Sequence, residues 1–204
     1  MRTRLDKFPG ADNYPGRVIL TDDPMRAKML VAHHLEYASL SFEQGDVSAY
    51  SGSYKGVPVA VVSTGFGKSD TLLYLRAVIE SGATNIVYIG KCTSSAERLA
   101  PRSVILAIGG SQTMLEKARD AAGLYDIRES AEAVLPPGAY REEVCIFEEV
   151  TGGLYELAQA YGVEALAILT VSENTATGES MDEHEVRSRF YGASRLSFEL
   201  LATV

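Results

Sequence analysis

Short apolar runs alternate with stretches whose apolar positions recur every three or four residues, and the two periods separate strands from helices. Arg17 to Thr21 reads as a first strand. Pro24 to Tyr37 reads as a helix, with Asp22 or Asp23 as N-cap and Pro24 at its first position. Met25, Met29, Leu30, Ala32 and Leu35 are its expected apolar positions. Val57 to Ser63 (VPVAVVS) is valine-rich throughout, as a strand buried on both faces should be. TGFGKSD follows as a glycine turn leading into a helix through Ser81. Asn85 to Ile89 and Val104 to Ile108 are further strands, and Gln112 to Ala122 is helical. Residues 123–142 are mixed, with Pro136-Pro137-Gly138 marking a loop. Val144 to Phe147 is a short strand, Gly153 to Tyr161 a helix and Ala165 to Val171 (ALAILTV) a buried strand. Asp182 to Leu201 is expected as one closing helix with the stripe Val186, Phe190, Ala193, Leu196 and Leu200.

This alternation predicts an α/β fold: a mixed, mainly parallel central sheet flanked by helices on both sides. Ligands in such folds sit beyond the carboxyl ends of the strands. Those ends here are TDDPMR, STGFGK, IGKCTSS, FEEVTGG and VSEN. No repeat or linker divides the chain, so one domain over 1–204 is expected.

Composition narrows the partners. The 204 residues are 46% hydrophobic and 23% charged, an ordinary globular balance. A net charge of -8 argues against a nucleic-acid partner, which asks for a basic face. No stretch approaches the roughly 18 apolar residues that span a bilayer. The start, MRTRLDKFPGADNYPGR, lacks the apolar run of a signal peptide. Cys92 and Cys145 lie far apart, and a reduced, cytoplasmic chain is the simpler expectation.

Several local patterns are weaker than they look. GKS at Gly67 to Ser69 invites a P-loop reading, but Val62 stands where that motif needs glycine. TGFGKSD also has two of the three glycines of a dinucleotide fingerprint. It reads as a tight turn whose helix start can still hold an anion. His33 and His34 point about 100° apart on a helix and cannot share an ion, so surface roles are expected and no metal is assigned. Cys92 lacks a motif-supplied base and is expected to be a buried structural thiol. Glu148 and Glu149, at a strand end, are candidates for binding sugar hydroxyls. Glu173 follows the apolar strand ALAILTV directly and is the candidate general acid.

Taken in order, these segments resemble the nucleoside phosphorylase family, which includes the hexameric purine nucleoside phosphorylases and the uridine phosphorylases. TDDPMRAKML resembles its Gly-Asp-Pro-x-Arg-Ala segment, and YSGSYKGVPVAVVSTGFG its Thr-Gly-x-Tyr-Lys-Gly strand pair and Gly-Met-Gly turn. NIVYIGKC resembles its Ile-Arg-x-Gly-Ser/Thr-Cys-Gly strand. EEVTGGLYELAQAYGVEALAILTVSEN resembles its Glu-Met-Glu-Ala-Ala-Gly-x-Tyr helix and Val-Ser-Asp strand. The resemblance implies attack of phosphate on C1′ of a nucleoside, a base-protonating acid, no cofactor, and a homo-oligomer, dimer or hexamer. It places Arg26, Gly65, Phe66, Tyr88, Lys91, Glu148 and Glu149 at substrate positions and Glu173 at that of the acid; Asp22, which departs from the family, is the second catalytic candidate, as a carboxylate positioning water in a hydrolase.

Departures cluster at the phosphate position. Asp22 stands for a glycine, Tyr88 for an arginine and Lys91 for a serine or threonine, and Gly45 lies where a neighbouring subunit gives an arginine. Val150 stands for the second glutamate, and Val186 for an arginine that assists the acid. The stretch between IGKC and FEE is shorter than in the family. These changes favour a rewritten site that cleaves a nucleoside-like molecule without phosphorolysis. Phosphorolysis helped by Lys91 or Lys68 is the alternative, and a non-catalytic binding or assembly role is the third.

Overall fold

The computed structural model describes residues 15–139, 141, 144–188 and 190–204. Most of the segment read above as lacking a signal peptide lies outside them. Strand β1 (Arg17–Thr21) leads into helix α1 (Pro24–His34). Asp23 is the N-cap, its Oδ1 accepting from the N–H of Met25 at 2.8 Å and of Arg26 at 3.4 Å, which leaves Asp22 free for other work. The helix stops short of the expected Tyr37, because Leu35 turns into extended backbone and β2 (Glu36–Gln44) begins. Its buried positions are Arg26, Ala27 and Leu30, whereas Met25 and Ala32, expected on the apolar stripe, are exposed.

β3 (Val47–Tyr54) and β4 (Val57–Thr64) form a hairpin. Its two turn residues, Lys55 and Gly56, both have positive φ (50° and 78°), the conformation a two-residue turn needs to match the strand twist. Then come α2 (Lys68–Glu80), β5 (Asn85–Ser94), β6 (Val104–Ala107) and α3 (Gln112–Leu124). The mixed stretch supplies β7 (Glu129–Glu132) and β8 (Val134–Leu135). The chain continues through β9 (Ile146–Phe147), α4 (Thr151–Tyr161), β10 (Glu164–Asn174) and β11 (Glu179–Ser180). The expected closing helix is two helices, α5 (Glu183–Ser188) and α6 (Tyr191–Leu201). Phe190, at ψ 49°, lies outside helical geometry and separates them.

Among the described residues one sheet runs β2-β3-β4-β1-β5-β10-β6-β7. Its centre, β4-β1-β5-β10, is parallel, while β2, β3 and β6 pair antiparallel with their inner neighbours. The mixed, helix-flanked α/β fold expected from the alternation is therefore the one observed. Successive side chains of the central strands enter opposite cores. Leu20, Val62, Ile86 and Leu169 pack with Leu75 and Val78 of α2 and Leu154 of α4. Ile19, Val61, Val87 and Ile168 pack with Leu30, Met114, Leu196 and Phe198 on the other face. Burial on both faces is why these strands read as unbroken apolar runs.

Candidate functional site

A cleft of about 220 Å³ opens beyond the carboxyl ends of β1, β5 and β10, beside the start of α2. It gathers six of the predicted residues: Asp22, Tyr88, Lys91, Glu148, Glu149 and Glu173. A neighbouring recess shares Asp22 and Lys91 with it and is lined further by Arg26, Phe66, Glu183, Val186 and Arg187. Gly65 is buried at φ 77°, and the turn presents Gly67 to the cleft. Thr71, Thr93, Phe147 and Ser172 also line the cleft and were not anticipated.

Ser172 reaches it through a ladder irregularity. β10 pairs in register with β5 as far as Val171–Cys92, and pairing resumes at Glu173–Thr93, leaving Ser172 as an extra residue. In a regular strand adjacent side chains face opposite sides. At this bulge both Ser172 and Glu173 line the same cleft. Asn174 anchors the segment that follows: its Nδ2 donates to the carbonyls of Ala96 and Leu99, both at 2.8 Å, and its Oδ1 accepts from the N–H of Ala176 at 2.9 Å.

Tyr88 is fully buried, and its ring folds along β5 over Gly90. A Cβ at Gly90 would lie 2.6 Å from Tyr88 Cε1, so the tyrosine requires a glycine there. Burial, then the charges of Asp22 and Glu148, push the phenol well above its ordinary range and keep it neutral. Glu148 is buried at the start of α4. It accepts from the N–H of Val150 at 2.9 Å and from the N–H and hydroxyl of Thr151, both at 2.7 Å. Burial raises its pKa above the ordinary 4.5 against the pull of these donors. The carboxylate predicted for a sugar is thus largely spent on capping the helix, whereas Glu149 is exposed and lines the cleft.

Arg26 is held through both terminal nitrogens of its guanidinium. Its Nη1 donates to Thr21 Oγ1 at 2.9 Å and to Asp22 Oδ1 at 2.6 Å, and its Nη2 to the Val186 carbonyl at 3.0 Å. The guanidinium lies 4.2 Å over the Phe190 ring. Arg187 pairs with Asp23 at 3.2 Å. At α2 the N-cap is Gly67, which has no side chain to satisfy the first-turn N–H groups. Thr71 is tied back to the Gly67 carbonyl at 3.0 Å and to Thr64 at 3.0 Å, which fixes the turn.

Cys92 is buried and Cys145 half-buried, both as free thiols. Burial, then the Glu148 charge, raises the Cys92 pKa far above its usual value, as a structural thiol requires. His34 is not the surface histidine expected: it stacks on Phe198 at 4.6 Å and meets Tyr54 edge-on. No cluster of metal-ligating side chains occurs among the described residues, nor is any described helix long and apolar enough to cross a membrane.

Fold and cleft together define an α/β protein with a polar cleft at the carboxyl ends of a largely parallel sheet, where ligands of such folds sit. Residues 17–136 match the model of the phosphorylase superfamily. The chain belongs to that superfamily. It is 29% identical over 216 aligned residues to a purine nucleoside phosphorylase DeoD-type of Caldanaerobacter subterraneus subsp. tengcongensis, covering 90% of this chain and 93% of that protein. A protein of the same name from Clostridium novyi is 31% identical with the same coverage. In fold the chain matches the crystal structure of purine nucleoside phosphorylase from Toxoplasma gondii in complex with immucillin-H. The TM-score is 0.83 at 16% identity, covering 99% of this chain and 94% of that one.

Proposed function

We propose that the chain cleaves the N-glycosidic bond of a nucleoside, foremost a purine nucleoside, with inorganic phosphate as the attacking group. The observation that carries the reading is the meeting of two kinds of chemistry in one cleft. Lys91 offers positive charge on the cleft wall, beside Gly67, the N-cap of α2, which carries no side-chain cap. Glu173 supplies an acid and Glu149 a hydroxyl acceptor at the same cavity. A phosphate oxygen forms the new bond to C1′ as the C1′–N bond breaks. The electron pair leaves with the base, and Glu173 delivers the proton that makes the base a competent leaving group. The names of the sequence relatives support phosphate over other attacking groups.

A second reading, hydrolysis by water, is favoured by one observation: Asp22 already occupies the Arg26 guanidinium. Chromatographic detection of free base from a panel of purine and pyrimidine nucleosides, with and without phosphate, separates the two. Release that requires phosphate and yields sugar phosphate is the expected result. Equal release under both conditions establishes hydrolysis, and no release overturns both. The proposal extends to a homo-oligomer. The edge strand β2 is exposed along most of its length and presents Tyr37 and Leu40, 92% and 52% exposed, for burial by a second copy.

A further inference from the structure

The contact between Arg26 and Asp22 is built like an occupied anion site. Arg26 is 3% exposed, and Thr21, Val186 and Phe190 fix its guanidinium independently of Asp22. Its Nε–H is buried and has no acceptor among the described residues. A guanidinium is best satisfied by an oxyanion that takes two of its N–H groups side by side. Asp22 takes one, through a single oxygen at 2.6 Å. The Asp22 side chain is 18% exposed and lines both the cleft and the recess, as does Lys91. A carboxylate therefore sits where the two cavities meet, beside a rigid, incompletely paired cation and a lysine. Asp23, not Asp22, caps α1, so the helix does not need this carboxylate.

We propose that Asp22 is the specificity-determining residue for the anionic co-substrate: its carboxylate fills the anion position of Arg26 and must swing away before phosphate can bind there. The inference rests on reading the cleft as a nucleoside-cleaving site that uses phosphate. Two negative charges cannot share the guanidinium at low energy, so phosphate binding carries the work of displacing Asp22. The displacement is feasible because the contact is one-point and partly solvated, whereas a bound phosphate can take Nη1 and Nη2 side by side.

Phosphate binding to the folded chain, measured by titration calorimetry at constant ionic strength, tests this without requiring turnover. Asp22→Asn and Asp22→Ala are each expected to bind phosphate at least about tenfold tighter than the wild type. Adding Arg26→Met to Asp22→Asn should erase that gain. Circular dichroism verifies folding, and either single variant suffices if the other unfolds. Phosphate affinities within about twofold of the wild type in the folded variants, including no detectable binding in any, would overturn the proposal. So would a gain that survives Arg26→Met. A variant that binds phosphate tightly but releases no base would sink the cleavage reading and leave only Asp22 as the residue that governs anion binding at Arg26.

Discussion

Glu173 stands at the mouth of the cleft because β10 runs apolar up to Val171 and then delivers two polar residues into the cavity. If it protonates the leaving base, Glu173→Gln lowers kcat for base release by about 100-fold and leaves phosphate affinity unchanged. Steady-state kinetics paired with calorimetry separate those effects. Lys91 supplies a point charge rather than a fork, so Lys91→Ala raises the phosphate KM by about tenfold with little change in kcat. Both residues were legible as residues of the cleft: Glu173 lies two residues beyond the apolar run that ends at Val171, and Lys91 stands out in IGKC, where the family has serine or threonine. Asp22 was legible only as an oddity, because its capture by Arg26 depends on which of two adjacent aspartates caps α1. Ser172 was illegible, since period-two alternation sends it away from the cleft and only the bulge brings it back.

At the scale of elements, the start of α4 shows how function and stability compete for one carboxylate. Glu148 accepts from the N–H groups of Val150, the N-cap, and Thr151, the first helical residue. Glu148→Ala should cost about 1–2 kcal/mol of stability, read from chemical denaturation. Because its folded pKa is raised, the native state binds the proton more tightly than the unfolded chain does. The associated stabilisation is complete below the ordinary value of 4.5 and is lost as pH rises through the raised one. Melting curves from acid to neutral pH should show the wild type losing stability relative to Glu148→Gln across that window. The strands buried on both faces were readable from valine and isoleucine runs. β2 was missed although Ala38, Leu40 and Phe42 of EYASLSFEQ alternate with polar residues, the period of a strand. The closing helix was readable as an apolar stripe but not as two pieces, since Phe190 lies on the stripe while breaking the helix.

Across the whole molecule a second polar cluster ties distant elements together away from the cleft. Glu199 of α6, buried, accepts the Tyr54 hydroxyl at 2.6 Å and the Lys55 ammonium at 2.7 Å from the β3–β4 hairpin. Tyr54 is pushed up to about 12, first by burial and then by this bond. Burial alone would raise the Glu199 pKa, but the bonds from Lys55 and Tyr54 outweigh it and hold the carboxyl below its usual range. A depressed folded pKa stabilises the native state above the ordinary carboxylate pKa and is lost as pH falls. The acid limb of the stability curve should therefore be shallower in Glu199→Gln than in the wild type. None of this cluster was foreseen, because Glu199 lies more than a hundred residues from the adjacent Tyr54 and Lys55 and each looks like an ordinary surface polar group in sequence.

The bulge at Ser172 also makes the chain a ruler. Residues before it are indexed to β5 by one count, and residues after it by another. Removing Ser172 would merge the two counts and leave Glu173 opposite Thr93 and Asn174 opposite Ser94, their present partners, so the Ala96 and Leu99 carbonyls would keep their donor while the cleft loses one hydroxyl. Exchanging Ser172 for another small residue would disturb none of that indexing. The place is open to a change of letter and to the loss of this one residue, because the pairs on either side of it are already consecutive on β5.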